Sequence, residues 1–300
     1  MSSSGGESSK VVAYQGVPGA YSEMAANQAC PEYTTLPCEQ FEVAFEALSQ
    51  WMADRAVLPV ENSLGGSIHT VYDLLQRYKF HIVGETFVAV DHCLMALPGV
   101  EKKDVKKVMS HPQALAQTEG YTRALGVIRE EVDDTAGAAK TIAENNLTGC
   151  AAIASRKAAE LYGLNVLDES IQDMMGNITR FVVLSRDPKV SILSGDSSNY
   201  KTSILFTLEE GPGVLFKALS VFALRDISLT KIESRPLRSS PLVSVDFEDG
   251  IKGSSGFNYL FYIDFIGSLR DENCQNALRH LEEFAIFVRV LGSYPRDLAH

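Results

Sequence analysis

The sequence predicts an α/β protein in two parts, the larger with alternating strands and helices and the smaller with the order βαββαβ. Three observations carry this. Short apolar runs of strand length recur between stretches of helical period over roughly the first 180 residues. The polar segment Ser191–Asn199, following Arg186-Asp187-Pro188, breaks the composition and reads as a linker. Beyond it the pattern changes to four strand runs punctuated by two helices.

In the first part the strand candidates are Val11–Tyr14, Ala56–Val60, His81–Val90, Val105–Met109, Ala151–Ala154 and Phe181–Leu184. Phe41, Phe45, Leu48 and Met52 recur at helical spacing, so that segment should pack one face on a sheet. Pro112 suits the first turn of a helix running to Leu125-Gly126, capped by Ser110 or His111. Asp134-Thr135 starts another helix, and Gly163 ends one that begins at Ser155. Such alternation implies a mostly parallel sheet. In the second part, Thr202–Leu208 is a strand, Gly211-Pro212-Gly213 a turn, and Val214–Leu224 a helix with Leu215, Leu219 and Phe222 on one side. Strands at Ile227–Ser234, Phe257–Ile266 and Phe287–Leu291, with a helix at Cys274–Phe284, complete a ferredoxin-like plan. Leu237–Gly256 reads as a long loop rather than as a short strand around Val243–Phe247.

Composition narrows the function. The chain has 300 residues, 27 Lys+Arg against 38 Asp+Glu, a net charge of −11 and 45% hydrophobic residues. An acidic chain without a basic cluster is a poor partner for nucleic acid or an anionic membrane surface, because phosphate neutralisation needs clustered cations. No stretch approaches the roughly 20 apolar residues of a bilayer span; even Val214–Leu224 is interrupted by Lys217. Five scattered cysteines and six histidines form no CxxC, HxxxH or HExxH spacing, which argues against a disulfide framework or a metal site. Met1–Lys10 reads as a flexible Ser/Gly tail, with neither the apolar core of a secretion signal nor the Arg-rich run of a transit peptide.

Chemistry concentrates at strand-to-helix junctions. Pro59-Val60-Glu61-Asn62-Ser63-Leu64-Gly65-Gly66-Ser67 places a carboxylate, an amide and a hydroxyl at a strand end, then two glycines that turn the chain into a helix. Ligands of open α/β sheets bind at such ends. Gly16–Ser22 follows the first strand similarly, but it is not GxGxxG, and a dinucleotide site is a weak reading. Ser110-His111-Pro112-Gln113 and Asp134-Thr135-Ala136-Gly137 are further junctions of this kind. Each alone is most simply a helix cap; together, converging helix N-termini suit an anionic ligand. In Gly176-Asn177-Ile178-Thr179-Arg180-Phe181, an extended backbone puts Thr179 and Phe181 on one face and Arg180 on the other.

The set GVPGAYS (Gly16–Ser22), LPVENSLGGSI (Leu58–Ile68), SHPQALAQ (Ser110–Gln117), DTAGAA (Asp134–Ala139) and GNITRF (Gly176–Phe181) resembles the prephenate dehydratase family, in family order. GPGVLFKAL (Gly211–Leu219) and KIESRPL (Lys231–Leu237) resemble its ACT regulatory domain, and LSRDPK with RVLGSYP is most similar to the plant-type branch of arogenate dehydratases. The resemblance implies a two-lobed, periplasmic-binding-protein-like catalytic domain at 11–186, with a second lobe at about 86–178. A linker at 187–200 and an ACT domain at 201–297 would follow. It implies loss of CO₂ and water together from prephenate or arogenate, with no cofactor and no metal.

By motif correspondence, Thr179, Glu61, Asn62, Ser110 and Gln117 are the implied catalytic residues, and Ser22, Ser63, Thr135, Arg180 and Phe181 the substrate-binding ones. The leaving hydroxyl needs a proton or a strong hydrogen bond, which leaves Thr179 and a buried Glu61 as two candidate donors. Phe181 would supply an apolar environment for decarboxylation. Asn62, Gln117, Arg180 and the helix N-termini would offer donors to carboxylates. Phenylalanine is the implied effector, between paired ACT domains of a dimer of dimers. Gly213, Val214 and Leu215 would offer N–H groups, joined by Ile227, Ser228, Glu233, Ser234, Arg235 and Pro236. Ser228 stands where many relatives carry Asn, and serine offers fewer hydrogen bonds. The resemblance also implies a plastid location, although no targeting segment is read in this chain. A rival of another class is a non-catalytic solute-binding or sensing module, which the same fold supports; Thr179 beside the ENS and SHPQ motifs favours the enzyme.

Overall fold

The computed structural model describes residues 9–188, 197–237 and 259–298. Contacts group them into two units, one from Met1–Ile68 and Thr86–Phe181, the other from His69–Glu85 and Val182–His300. The expected loop at 237–256, all but its first residue, and most of the expected linker fall outside the described residues.

The chain up to Ser185 carries two sheets. One has the strand order Thr34–Cys38, Val11–Gln15, Arg55–Asn62, Ile178–Ser185, His81–Ala89. Its first two pairings are parallel. Gly66–Ser67 folds back antiparallel on Arg55–Asn62, pairing Glu61 with Ser67, before helix His69–Arg77 begins. The other sheet has the order Asn165–Asp168, Cys93–Ala96, Cys150–Ala154, Lys107–Ser110, Ile128–Glu131. It is half parallel and half antiparallel, so "mostly parallel" holds only in part. A periplasmic-binding-protein-like two-lobed α/β architecture is thereby present.

Local chemistry accounts for most helix ends. Asp134 accepts the Gly137 N–H at 2.8 Å and starts Thr135–Glu144. Ser155 accepts the Ala158 N–H at 3.1 Å and starts Arg156–Tyr162, which ends at the left-handed Gly163. Between them Ala136, Ala138, Ala139, Ala152, Ala154 and Ala158 are wholly buried with Met95 and Ile142. Small side chains let the Thr135 helix lie close on its sheet, which fixes where its N-terminus points. The helix expected from Pro112 to Leu125 divides at Thr118, whose backbone (φ −122°, ψ 25°) leaves the helical region. The Thr118 hydroxyl donates back to the Ala114 carbonyl at 2.8 Å, an interaction that competes with the helix ladder. The Phe41 helix stops at Ser49, and Met52 is exposed rather than packed.

The second unit shows the βαββαβ order. Its antiparallel sheet runs Leu229–Pro236, Tyr259–Ile266, Tyr200–Leu208, Ala285–Pro295. Helices Val214–Ala223 and Glu272–Glu282 pack on one face through Phe206, Phe222, Phe265 and Leu281. In the first of these helices Ala218, Val221 and Phe222 are buried, while Leu215 and Leu219 are only partly so. Helix His69–Arg77 belongs to the same unit. Tyr262 donates to the Tyr72 carbonyl at 2.7 Å, and Arg235 grips both oxygens of Asp73 at 2.9 and 2.8 Å. Arg289 donates to the carbonyl of Leu75 in the last turn of that helix, an acceptor a helix end leaves unpaired, and to those of Tyr78 and Phe80 just beyond it. Lys201 meets Glu85 at 2.7 Å with side chains 8% and 1% exposed, a buried ion pair.

Candidate active site

A cavity of about 390 Å³ opens between the two sheets of the first unit, within the size range of small-molecule sites, roughly 300–1,000 Å³. The first turns or caps of four helices line it: Ala20-Tyr21-Ser22, Gln40-Phe41, His111 with Gln113, and Asp134-Thr135. Ala20 and Gln40 make no side-chain cap, so N–H groups at those starts keep their capacity for an anion. Among the described residues that line the cavity, none is lysine or arginine.

One wall is a chain of amides whose orientation can be read from its anchor. The Asn62 carbonyl oxygen accepts the Leu64 and Gly65 N–H groups at 3.1 and 2.8 Å. Backbone donors cannot reverse, so the Asn62 amide nitrogen must face the other way. It donates to Asn177 Oδ1 at 2.6 Å and to Thr179 Oγ1 at 2.9 Å. Asn177 is thereby oriented too, and its nitrogen donates to Gln117 Oε1 at 2.9 Å. His92 Nε2, 3.1 Å from that same oxygen, must carry the ring proton. Burial holds the His92 pKa down, partly offset by the Gln117 bond, so the ring is neutral with Nδ1 as its acceptor. Nδ1 faces the Tyr21 hydroxyl at 3.4 Å, while that hydroxyl donates to the Asp91 carbonyl at 2.5 Å.

The result is directional. Thr179, 8% exposed, accepts from Asn62 and keeps its O–H for the cavity. Gln117 has its oxygen engaged by two donors and keeps its NH₂ for the cavity. Phe181, on the same strand face as Thr179, gives the wall an apolar patch. This site donates hydrogen bonds without a lysine or arginine among the described residues of its lining.

Of the residues singled out in the sequence, Ser22, Asn62, Gln117, Thr135, Thr179 and Phe181 line the cavity. Four do not. Ser110 is wholly buried and donates to the Ile153 carbonyl at 2.6 Å, where it ties two strands together. Ser63 accepts the Ile178 N–H at 2.9 Å and braces the loop outside the cavity. Glu61 sits beside Ser67 in the hairpin, with its side chain off the lining. Arg180 is buried on the opposite strand face, as period-2 alternation requires. Sequence reasoning missed Asn177, His92 and Tyr21. Asn177 lay inside a quoted motif, and the polar Asp91-His92 pair directly after an apolar strand was the available signal for His92.

In the second unit, Gly213 takes a left-handed φ of 73° and starts the Val214–Ala223 helix, with Val214 and Leu215 in its first turn. Ile227 and Ser228 precede the strand, which begins at Leu229 rather than Ile227. Glu233 and Arg235 face inward on that strand, toward His69 at 3.4 Å and toward Asp73, whereas Ser234 and Pro236 are exposed.

A two-lobed α/β cleft with an oriented hydroxyl, amide donors and helix N-termini is the setting of a small-molecule site. A sequence model of prephenate dehydratase matches residues 12–189, and the chain belongs to that family. It is 61% identical over 286 residues to "Arogenate dehydratase/prephenate dehydratase 2, chloroplastic" of Arabidopsis thaliana, covering 95% of this chain and 73% of that one. A prephenate dehydratase from Arthrobacter aurescens, solved with L-Phe, superposes with a TM-score of 0.81 at 30% identity, covering 95% of this chain and 90% of that one. A structure described as GqqA, a quorum quenching acylase, also gives 0.81 at 35% identity, covering 96% of this chain and 99% of that one.

Proposed function

We propose that the chain is an arogenate dehydratase, a carbon-oxygen lyase that converts L-arogenate to L-phenylalanine, CO₂ and water. Prephenate, giving phenylpyruvate, is the alternative substrate. The observation that carries the reading is the Thr179 hydroxyl, which accepts from Asn62 and so presents its proton to the cavity. In the reaction the ring carboxylate leaves as CO₂, its electron pair completes the aromatic ring, and the ring hydroxyl departs as water. That hydroxyl is a poor leaving group unless hydrogen-bonded or protonated in the transition state. Thr179 supplies the donor; Glu61 is off the lining, which favours Thr179 of the two. Phe181 leaves the departing carboxylate poorly hydrated, and the helix starts and Gln117 hold the side-chain carboxylate.

We further read the second unit as an ACT domain that takes phenylalanine as a feedback effector, with the helix start at Gly213 and the Ile227–Ser228 turn as its site. Within the described residues the Leu229–Pro236 strand is a sheet edge with Ile232 exposed, and Phe216 is 76% exposed nearby in sequence to that start. Unpaired edges and apolar exposure suit pairing with a second copy. The domain limits 11–186, 187–200 and 201–297, the dimer of dimers and a plastid location belong to the same reading.

The test is turnover of L-arogenate and of prephenate, side by side, by the full chain and by Thr179→Val. The substitution should lower kcat by about 10³ while altering substrate affinity little. A Thr179→Val protein with full turnover would remove the hydroxyl from the mechanism.

A further inference from the structure

We propose that Asp134 selects the α-amino form of the substrate over the α-keto form by pairing its carboxylate with the substrate ammonium. This rests on the dehydratase reading and deepens it. The two candidate substrates share a ring, a ring carboxylate, a leaving hydroxyl and a side-chain carboxylate. They differ at one carbon, which carries an ammonium in arogenate and a ketone in prephenate. The amino form therefore has a net charge of −1 and the keto form −2.

The cavity already described discriminates between these charges. Its ionisable lining is acidic, with Glu39, Asp133 and Asp134, and it contains no lysine or arginine among the described residues. Glu39 and Asp133 are exposed to solvent, where charge is screened, whereas Asp134 is half-buried. A dianion entering here meets carboxylates with no lysine or arginine among the described lining residues to offset them. A zwitterionic side chain brings its own cation.

Asp134 is also placed for α-amino acid recognition. An α-amino acid presents a carboxylate and an ammonium on one carbon, so its site needs donors and an acceptor side by side. Thr135, in the first turn and on the cavity lining, supplies a hydroxyl donor, and Asp134, one residue earlier, supplies the acceptor. Its Oδ1 is committed to the Gly137 N–H at 2.8 Å. Its Oδ2 lies against the Gly16 backbone, where a Cβ would come within 2.7 Å, and Gly16 holds a φ of +114° that other residues rarely adopt. The carboxylate is thus held between a helix cap and the Gly16–Ser22 loop. Burial pushes its carboxyl group up, with the capping N–H groups and His111 pulling the other way, and an arriving ammonium would favour the charged carboxylate further. Thr179 provides the independent mark of a ligand, a buried hydroxyl whose proton is directed into the same cavity. The reacting hydroxyl lies across the ring from the carbon bearing the side chain. A substrate that offers it to Thr179 therefore extends its amino acid group away from that end.

The experiment compares kcat/KM for L-arogenate and prephenate in the unsubstituted chain, Asp134→Ser and Asp134→Asn. Serine and asparagine both keep a capping oxygen for the Gly137 N–H, and thermal unfolding verifies that each variant folds. Losing one member of a half-buried charge pair should lower kcat/KM for arogenate by about 30-fold. Prephenate should be turned over faster, because the repulsion is relieved. An equal fall for both substrates makes Asp134 a helix cap only and overturns the inference, as does an unchanged ratio. If the unsubstituted chain turned over neither substrate, the dehydratase reading itself would fall and this inference with it.

Discussion

The cavity of the first unit and the helix-on-sheet junction of the second use opposite electrostatics. The cavity wall is a relay of neutral groups, Asn62, Asn177, Gln117, His92 and Thr179, each oriented by the one before. The junction that holds residues 69–85 relies on full charges: Lys201 on Glu85, Arg235 on Asp73, and Arg289 on three carbonyls. A charged ligand explains the difference. Fixed cations in the cavity would bind ground-state and transition-state carboxylates alike, and a carboxylate about to leave as CO₂ gains nothing from being held as an anion. Where no ligand enters, a buried charge pair is a specific fastener, and breaking it strands one charge.

The comparison can be broken at its strongest point. Lys201→Met leaves Glu85 buried without its ammonium partner and should destabilise the protein by about 3–5 kcal/mol, read from urea unfolding. Lys201→Met combined with Glu85→Leu should recover most of that loss, since no charge is left stranded; no recovery would show that Lys201 acts otherwise.

In the neutral relay the expected effects are smaller. His92→Phe removes the Nε2–H donor to Gln117 and should lower kcat about tenfold with little change in KM; His92→Gln, which restores a donor, should recover much of it. The same position has a pH signature. The folded-state pKa of His92 lies below its ordinary value of 6.5, by burial first, with Gln117 and Asp91 opposing. The folded state then binds fewer protons than the unfolded one. Its stability is complete above the ordinary value and declines as pH falls through it toward the folded value. His81 is shifted the same way, by burial and Arg289, so the His92 share is the difference between the parent and His92→Phe in acid denaturation. The smallest effect is expected of Glu61→Gln, whose side chain is off the cavity: turnover should stay within about twofold at every pH, and a lost acidic limb in the rate profile would restore Glu61 as a proton donor.

Apolar runs with clean boundaries were legible in the sequence. Val11–Gln15 and Cys150–Ala154 lie within a residue of expectation, and Asp134, Ser155 and Gly163 act as the caps their chemistry suggests. Ile128–Glu131 was not legible, because a strand reading Ile-Arg-Glu-Glu has every side chain exposed and exists through ladder bonds to Lys107–Ser110. Thr118 was not, because the residue that breaks its helix is also an ordinary helix passenger until its hydroxyl turns back on Ala114. In the site, alternation along Ile178–Ser185 correctly separated Thr179 and Phe181 from Arg180. It gave no warning about Ser110, whose type and position suit a cavity but whose hydroxyl is committed to Ile153. Asn177 and His92 act through partners 115 and 25 residues away, separations that no local pattern encodes.

Helix His69–Arg77 bears on modularity. It is encoded between two strands of one sheet, yet its fasteners are Arg235, Tyr262 and Arg289, all encoded beyond residue 200. A gene cut after Arg186 would therefore not release a self-sufficient first half. It would leave Glu85 without Lys201, Asp73 without its guanidinium, and the carbonyls of Leu75, Tyr78 and Phe80 without Arg289. Separating the two units calls for rebuilding residues 69–85, not for a single cut at the linker.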